Sequence, residues 1–523
     1  MKETPTRIQS EVQETGTGKL ILIMVGLCLA DQTILATVTP IISDHFHALN
    51  DVGWWSAAYL FTLSVFQLFY GKLYALCSVK TVYIAAISIF ELGSLVCAVS
   101  PNSAALISGR AVAGLGAAGI FSGSVIITTK VIPLERRAIY LGVMSAVFGV
   151  AAIVGPFIGG ALAERTSWRW CFWINLPLGF VTIVLCVFLV KIPTDPHAQS
   201  LAWIEKLRQF DTVGTVMLIG SLVALLLALQ WGGSTYAWDS ARIIALFVVA
   251  AFLAFSFALV QTFKSPTSRT IPMSITTSRS VWTAAGYAVC ITGGVYVAIL
   301  YVPLWFQAIK NRSALGSSVM LTPLIAGYVV CSVIAGVLTS ATGYYNPPMI
   351  VGTILASCGS GLLTTITPDT TTSAWIGYLV LYGFGVGMGF GQPSYVVQTV
   401  LPEKDVPIGV TLITLVQNLS ATIFVAVAQA IFQNTLASKL HTIAPEISPE
   451  SIGQTGATQL IGQFPESEIT AARRTYSDAL ARTLYLSLGL SCASVLGAAF
   501  IEWKSMKGPK RGDPELTTGA QQG

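Results

Sequence analysis

The chain has 523 residues, of which 10% are charged and 54% hydrophobic, with a mean hydropathy of +0.71. Soluble globular proteins carry about 25% charged residues, so this chain has too few to cover a water-facing surface, and the bilayer is its natural solvent. The nine cysteines are odd in number, sit in or beside apolar runs and include no CxxC pair, which argues against a disulfide or zinc framework.

A membrane helix needs about 20 mostly apolar residues. The sequence predicts an all-α integral membrane protein with fourteen such spans, at 20–42, 54–76, 82–100, 104–129, 138–163, 169–191, 211–231, 242–263, 281–306, 316–342, 347–366, 373–399, 407–436 and 478–502. The first is expected to be a true span and not a signal peptide, because a polar stretch precedes it and it contains Asp31.

Charge orients the spans. With the N-terminus cytoplasmic, nineteen Lys and Arg residues fall on the cytoplasmic side and nine on the other. The remaining basic residue, Arg110, lies inside a span. This bias predicts both termini in the cytoplasm. It also accounts for the net charge of +5 without a nucleic-acid partner.

Three polar stretches interrupt the spans, at 192–210, 264–280 and 437–477. They divide the chain into a tail (1–19), a six-helix bundle (20–195), a linker with two extra helices (196–280), a second six-helix bundle (281–503) with the long outer loop, and a C-terminal tail (504–523). A short internal repeat supports this 6+2+6 plan. "GKLYALCSVK" from Gly71 and "GVLTSATGYY" from Gly336 both start G-x-L at the inner end of a span, and "GLGAAG" from Gly114 corresponds to "GFGVGMGFG" from Gly383. Two pseudo-symmetric six-helix bundles in parallel repeat are a transporter plan, with the substrate held at the midplane between the halves.

Ionisable residues deep in the spans are few: Asp31, Glu91 and Arg110. Such groups are costly in lipid and usually face a bundle interior or an aqueous cavity. Asp31 is a candidate proton carrier, since burial raises a carboxylate's pKa and a nearby arginine lowers it; a permanently paired structural acid is the alternative. Glu91 is a weaker candidate for coupling, with a structural hydrogen-bonding acid as its alternative. Arg110 keeps its proton and would hold a carboxylate ionised, or else donate to helix carbonyls. Gly109, Gly116 and Gly123 recur every seven residues beside it, a pattern that lets helices approach closely. In "VGPFIGG" from Val154, Pro156 bends the helix and Gly155, Gly159 and Gly160 let the bend pack. Tyr301, Trp305, Gln307, Gln392, Tyr395, Gln398, Gln417 and Asn418 supply neutral polar and aromatic groups for a substrate cavity; interfacial anchoring or helix packing is their alternative use. His45 and His47 read as solvated loop residues. No metal site, catalytic residue or cofactor is expected, and the chain reads as a monomer in the lipid bilayer.

"LADQTILATVTPII" from Leu29, "GRAVAGLGAAG" from Gly109, "VGPFIGG" and "WRWCFWINLPLG" from Trp168 resemble the major facilitator superfamily, and most closely its fourteen-span drug:proton antiporters. "LQWGG" from Leu229, "YVPLWFQAIKNRSALGSS" from Tyr301, "GYYNPP" from Gly343 and "IEWKS" from Ile501 resemble fungal members near the aflatoxin-type efflux pumps. The resemblance covers residues 20–505. It implies that Asp31 is the proton-coupling acid, that Arg110 is the arginine of the family's fourth-helix motif, and that Gly155, Pro156, Gly159 and Gly160 form the antiporter motif associated with export. The implied protein is no enzyme. It is an efflux pump of the plasma membrane, driven by the proton gradient and exporting a small organic molecule such as a fungal secondary metabolite, toxin or drug. An importer of a siderophore or nutrient is the rival within the family. Two departures stand out: the loop motif usually has an acidic residue where this chain has Ala75, and the fourth-helix motif often has glutamine where it has Ala113.

Overall fold

A computed structural model describes residues 26, 38, 42, 45–46, 52–132, 134–189, 211–233, 236–264, 269–312, 314–443 and 469–506. Among these residues the architecture is all-helical, with an isolated bridge between Gly232 and Tyr236 and no strand. In chain order the helices are α1 (Val52–Leu76), α2 (Val79–Ala98), α3 (Ser103–Val131), α4 (Leu134–Arg165), α5 (Trp170–Trp173), α6 (Asn175–Leu189), α7 (Thr212–Trp231), α8 (Ala241–Phe263), α9 (Met273–Thr276), α10 (Arg279–Ala308), α11 (Ala314–Val319), α12 (Thr322–Thr342), α13 (Asn346–Leu363), α14 (Thr372–Gly389), α15 (Gln392–Val400), α16 (Val406–Ile443) and α17 (Ile469–Phe500). Ten stretches among the described residues are long and apolar enough to cross a membrane; α1, α4 and α13 coincide with three further expected spans. The first expected span, with Asp31, lies outside the described residues except for helical positions 26, 38 and 42.

The structure corrects several expected boundaries. The sixth, tenth and twelfth spans are each broken, into α5 and α6, α11 and α12, and α14 and α15. Proline sits in the first turn of α12 (Pro323) and of α15 (Pro393), where it begins a helix well but cannot continue one. Helix α16 continues to Ile443 and α17 starts at Ile469, so the outer connection is shorter than the 437–477 expected from polarity. The 264–280 stretch contains α9. The linker 192–210 lies outside the described residues.

Local chemistry sets the helix starts. Asn102 accepts from the Ala105 N–H, Ser240 from Ile243, Ser278 from Val281 and Asp211 from Gly214. Each side chain satisfies one of the orphan donors of a first turn. Helix α12 ends at Gly343 in the left-handed region (φ 80°), and the Gly343 carbonyl accepts from the Met506 N–H at 2.8 Å.

Helix α3 is the centre of the N-terminal half, packed between α1 and α2 and largely buried. Helix α14 occupies the same place in the C-terminal half, between α12 and α13. The halves meet along two seams, α1 against α16 and α4 against α12. At the first seam a side chain on Gly71 would strike Thr411; at the second, Gly142 lies against the Ser332 carbonyl and the Gly336 backbone. The inserted helices α7 and α8 pair with each other, and α7 leans on α1 and α16. Helix α8 is buried at few positions, and Phe252, Phe255 and Phe263 stand exposed along it. Such a face belongs in lipid.

Candidate functional site: a buried arginine and two seams between the halves

The heptad glycines of α3 all face α2. Gly109 packs on Cys97 and Gly93, Gly116 on Phe90 and Ala86, and Gly123 on Tyr83 together with the Tyr74 hydroxyl of α1. Arg110, one residue and about 100° further round, turns instead to α1. It is 1% exposed, its Nε–H donates to the Trp55 carbonyl at 3.1 Å, and its guanidinium lies over the Tyr59 ring at 4.4 Å. A cation–π contact in a desolvated setting is worth about 2 kcal/mol, and the planar guanidinium can make it while bonding in its own plane.

Glu91 is buried on α2, and its carboxyl group packs against Gly179 of α6. A side chain at position 179 would overlap that carboxyl. Glu91 therefore occupies the α2–α6 interface, whereas Arg110 occupies the α1 side of α3. In the helix-five motif, Gly155 and Gly159 are buried within α4, and Pro156 and Gly160 lie in the same helix.

Several residues expected to line a substrate cavity stand in the core of the C-terminal half. The Trp305 Nε1–H donates to Ser477 Oγ at 3.0 Å, and Lys310 sits over its ring. Tyr301 packs on Phe432, which packs in turn on Tyr476. Gln307 donates to Ser317 at 2.9 Å. Gln392 accepts from Thr339 at 3.2 Å, and Gln398 donates to the Ser394 carbonyl of its own helix. Tyr395 is 1% exposed. Gln417 reaches across from α16 to the Phe390 carbonyl at the break between α14 and α15. Pro393 contributes to that break, since it has no N–H to carry the ladder forward.

Sequence reading passed over Gln67. It is fully buried on α1, one turn before Gly71, and its Nε2 donates to Ser122 of α3 at 2.9 Å. Among the described residues its Oε1 has no hydrogen-bond partner, and neither has Nδ2 of Asn418. Asn418 lies seven residues after Thr411, so both residues belong to the helical stripes that cross at the first seam. Towards the other end of that seam, Trp54, Ala57, Leu60 and Phe61 of α1, Leu226 and Gln230 of α7, and Thr422 of α16 line a small crevice of about 70 Å³. His45 is exposed, and its ring makes edge contacts with Phe46 and Trp168. No metal-ligand cluster occurs among the described residues.

A family model described as Major Facilitator Superfamily matches residues 21–215. A thioclapurine efflux transporter of Claviceps purpurea is 45% identical over 97% of this chain and 94% of its own length. Efflux pump aflT of Aspergillus parasiticus is 43% identical over 94% of this chain and 96% of its own. Among solved structures, the human organic anion transporter MFSD10 superposes with a TM-score of 0.59 at 13% identity, covering 91% of this chain and 99% of that one. The proton:xylose symporter XylE gives the same TM-score and identity over 95% and 98%. These are transporters, and not enzymes. With two seams between halves, a glycine-packed helix at the centre of each half and relatives matched over nearly their full length, the chain belongs to the major facilitator superfamily, beside its fungal efflux pumps.

Proposed function

We propose that the protein is a proton-coupled efflux pump for small organic molecules, such as fungal secondary metabolites, toxins or drugs. The observation that carries this reading is the pairing of a fully buried arginine on α3 with neutral, incompletely bonded polar groups at the seam between the halves. A buried polar atom without a partner costs about 1–3 kcal/mol, and a ligand that bonds it recovers that cost. Gln67 Oε1 accepts and Asn418 Nδ2 donates. A hydroxyl or N–H would satisfy the first and a carbonyl the second, groups that a neutral or weakly acidic molecule carries and that need no positive charge. The efflux direction rests on the named activities of the relatives and on the Gly155–Pro156 and Gly159–Gly160 motif.

In the cycle, Asp31 releases its proton inside, substrate binds between the halves, and the halves rock to open outward. An external proton then neutralises Asp31, and the halves return. Arg110 remains charged throughout; it holds the Asp31 carboxylate ionised in one state and releases it for protonation when a helix shifts. Glu91, set against Gly179, takes part through the α2–α6 contact. The protein works as a monomer in the plasma membrane, with the face that bears Lys72, Lys130, Lys264 and Lys404 turned to the cytoplasm.

The test is export from cells that carry or lack the protein, followed by mass spectrometry of cell and medium under imposed pH gradients. Asp31→Asn should reach the membrane and lose gradient-driven export. Undiminished proton-driven export from that variant overturns the coupling, and net accumulation inside cells that carry the protein overturns efflux.

A further inference from the structure

The stretch 71–80 contains no acidic residue, yet it opens with a buried cation at the point where the halves cross. Lys72 is 8% exposed, and its Nζ donates to the Arg269 carbonyl at 2.9 Å. Arg269 opens the described segment that leads from the inserted helices to α10. Five residues on, Ser274 of α9 donates from Oγ to Asp405 Oδ2 at 2.7 Å. Asp405 is itself buried, just before α16 in the C-terminal half. The charges of Asp405 and Asp211 both act on Lys72. Asp211, at the start of α7, has a buried side chain that accepts from Gln261 and Thr270 and pairs with Lys264 at 3.4 Å. One ammonium group from the N-terminal half therefore bonds a segment whose Thr270 bonds a carboxylate of the inserted pair and whose Ser274 bonds a carboxylate of the C-terminal half. The 269–276 segment runs between them as a strap, anchored by the fully buried Ile275.

We propose that Lys72, Ser274 and Asp405, joined through the 269–276 segment, form a clasp that holds the halves closed on their basic face, and that these are positioning residues for the transport cycle. Opening that face separates α1 from α16 and so parts Lys72 from the segment that Asp405 holds. Charge-assisted hydrogen bonds are stronger than neutral ones, and a buried charge stripped of its partner is costly. The clasp biases the resting conformation towards the state closed on this face. The Lys130–Glu403 pair nearby, 3.2 Å apart but with Glu403 largely exposed, adds little. The inserted helices thereby acquire a task distinct from substrate contact: they fix the strap at its Lys264–Asp211 end. The inference rests on rocking of the two halves and not on the identity or direction of the cargo.

The experiment places ketone-bearing residues, coupled to nitroxides, at the exposed positions Thr81 and Lys404 of the full chain in lipid nanodiscs, sparing the native cysteines. Pulsed dipolar spectroscopy then reads the distance across the basic face. The parent should give mainly the short distance. Lys72→Met and Asp405→Asn should each raise the ratio of long to short distances about tenfold. Ser274→Ala should raise it less, and Lys72→Arg should restore most of the closed population. Ser240→Ala, at the cap of α8, is the control and should leave the distances unchanged. If Lys72→Met or Asp405→Asn fails to assemble, Ser274→Ala, which removes one hydroxyl, carries the test. Distances unchanged in all assembled clasp variants overturn the clasp, even where their export falls. Shifted distances in a chain that exports nothing uphold the clasp and remove the efflux reading.

Discussion

Arg110 shows what a single buried residue reveals and what it hides. The sequence marks it out because an isolated charge in an apolar run needs a reason to be there. Its partners Trp55 and Tyr59 carry no such mark, being aromatic residues on an apolar helix like many others. The same ambiguity surrounds Tyr301 and Trp305. Core aromatics and cavity aromatics recur at the same helical spacing, and only the Ser477 and Phe432 contacts show which side of the helix is packed. Gln67 was overlooked because a glutamine is an ordinary polar residue until its burial is known. Arg110→Lys provides a test at this scale. Lysine keeps the charge, but it has no planar fork with which to lie on Tyr59 and reach the Trp55 carbonyl at once. Proton-driven export should fall at least ~tenfold while membrane levels hold, the loss of about 2 kcal/mol of cation–π and hydrogen-bond contact. A rate within twofold of the parent in the same transport assay shows that the arginine provides only charge.

Among elements, the glycine spacing of α3 was legible because a seven-residue repeat lies on one face whatever the neighbour. That the neighbour is α2 comes from packing. The breaks before α12 and α15 were missed because apolar character runs straight through them, although Pro323 and Pro393 were visible signals. The start of α7 permits a quantitative test. Burial by itself would raise the Asp211 carboxyl. Hydrogen bonds from the Gly214 N–H, Gln261 and Thr270, with the Lys264 charge, outweigh burial and hold it below the usual carboxylate range. A carboxyl group with a folded-state pKa below its unfolded value of about 3.9 stabilises fully above that value. The contribution disappears as pH falls through the lower folded value. Asp211→Ala should therefore lower the melting temperature at neutral pH, by an amount equivalent to about 1–3 kcal/mol for a lost cap and broken buried hydrogen bonds. The gap between variant and parent should narrow below about pH 4. Fluorescence-detected melting across pH measures both. A gap that is constant down to pH 2 means that the carboxylate's charge contributes nothing.

For the whole molecule, composition and the G-x-L repeat were enough to suggest paired halves, since both survive in short windows of sequence. The clasp was not legible: Lys72, Ser274 and Asp405 are far apart in the chain, and each is unremarkable locally. Gly71 links sequence to global motion, because a side chain there would overlap Thr411 across the seam. Gly71→Val should force the seam apart at a cost of about 1–3 kcal/mol and depress export. Adding Thr411→Gly should restore much of the loss, because the clash is with that side chain. A double variant no better than the single one, by the same export assay and by melting, shows that the damage lies within α1 and not across the seam.

The reciprocity of the two seams has a geometric meaning. Helices α1 and α12 correspond in the two halves, as do α4 and α16, so the α1·α16 and α4·α12 contacts are images of each other. The Gly71–Thr411 and Gly336–Gly142 contacts exchange the roles of the halves in the same way. Surface i meeting j while j meets i is the geometry of an isologous dimer. The single chain thus carries the interface geometry of two identical subunits set side by side about a two-fold axis along the membrane normal. Two seams on one chain are free to diverge separately, and the buried lysine and the strap lie at the first of them.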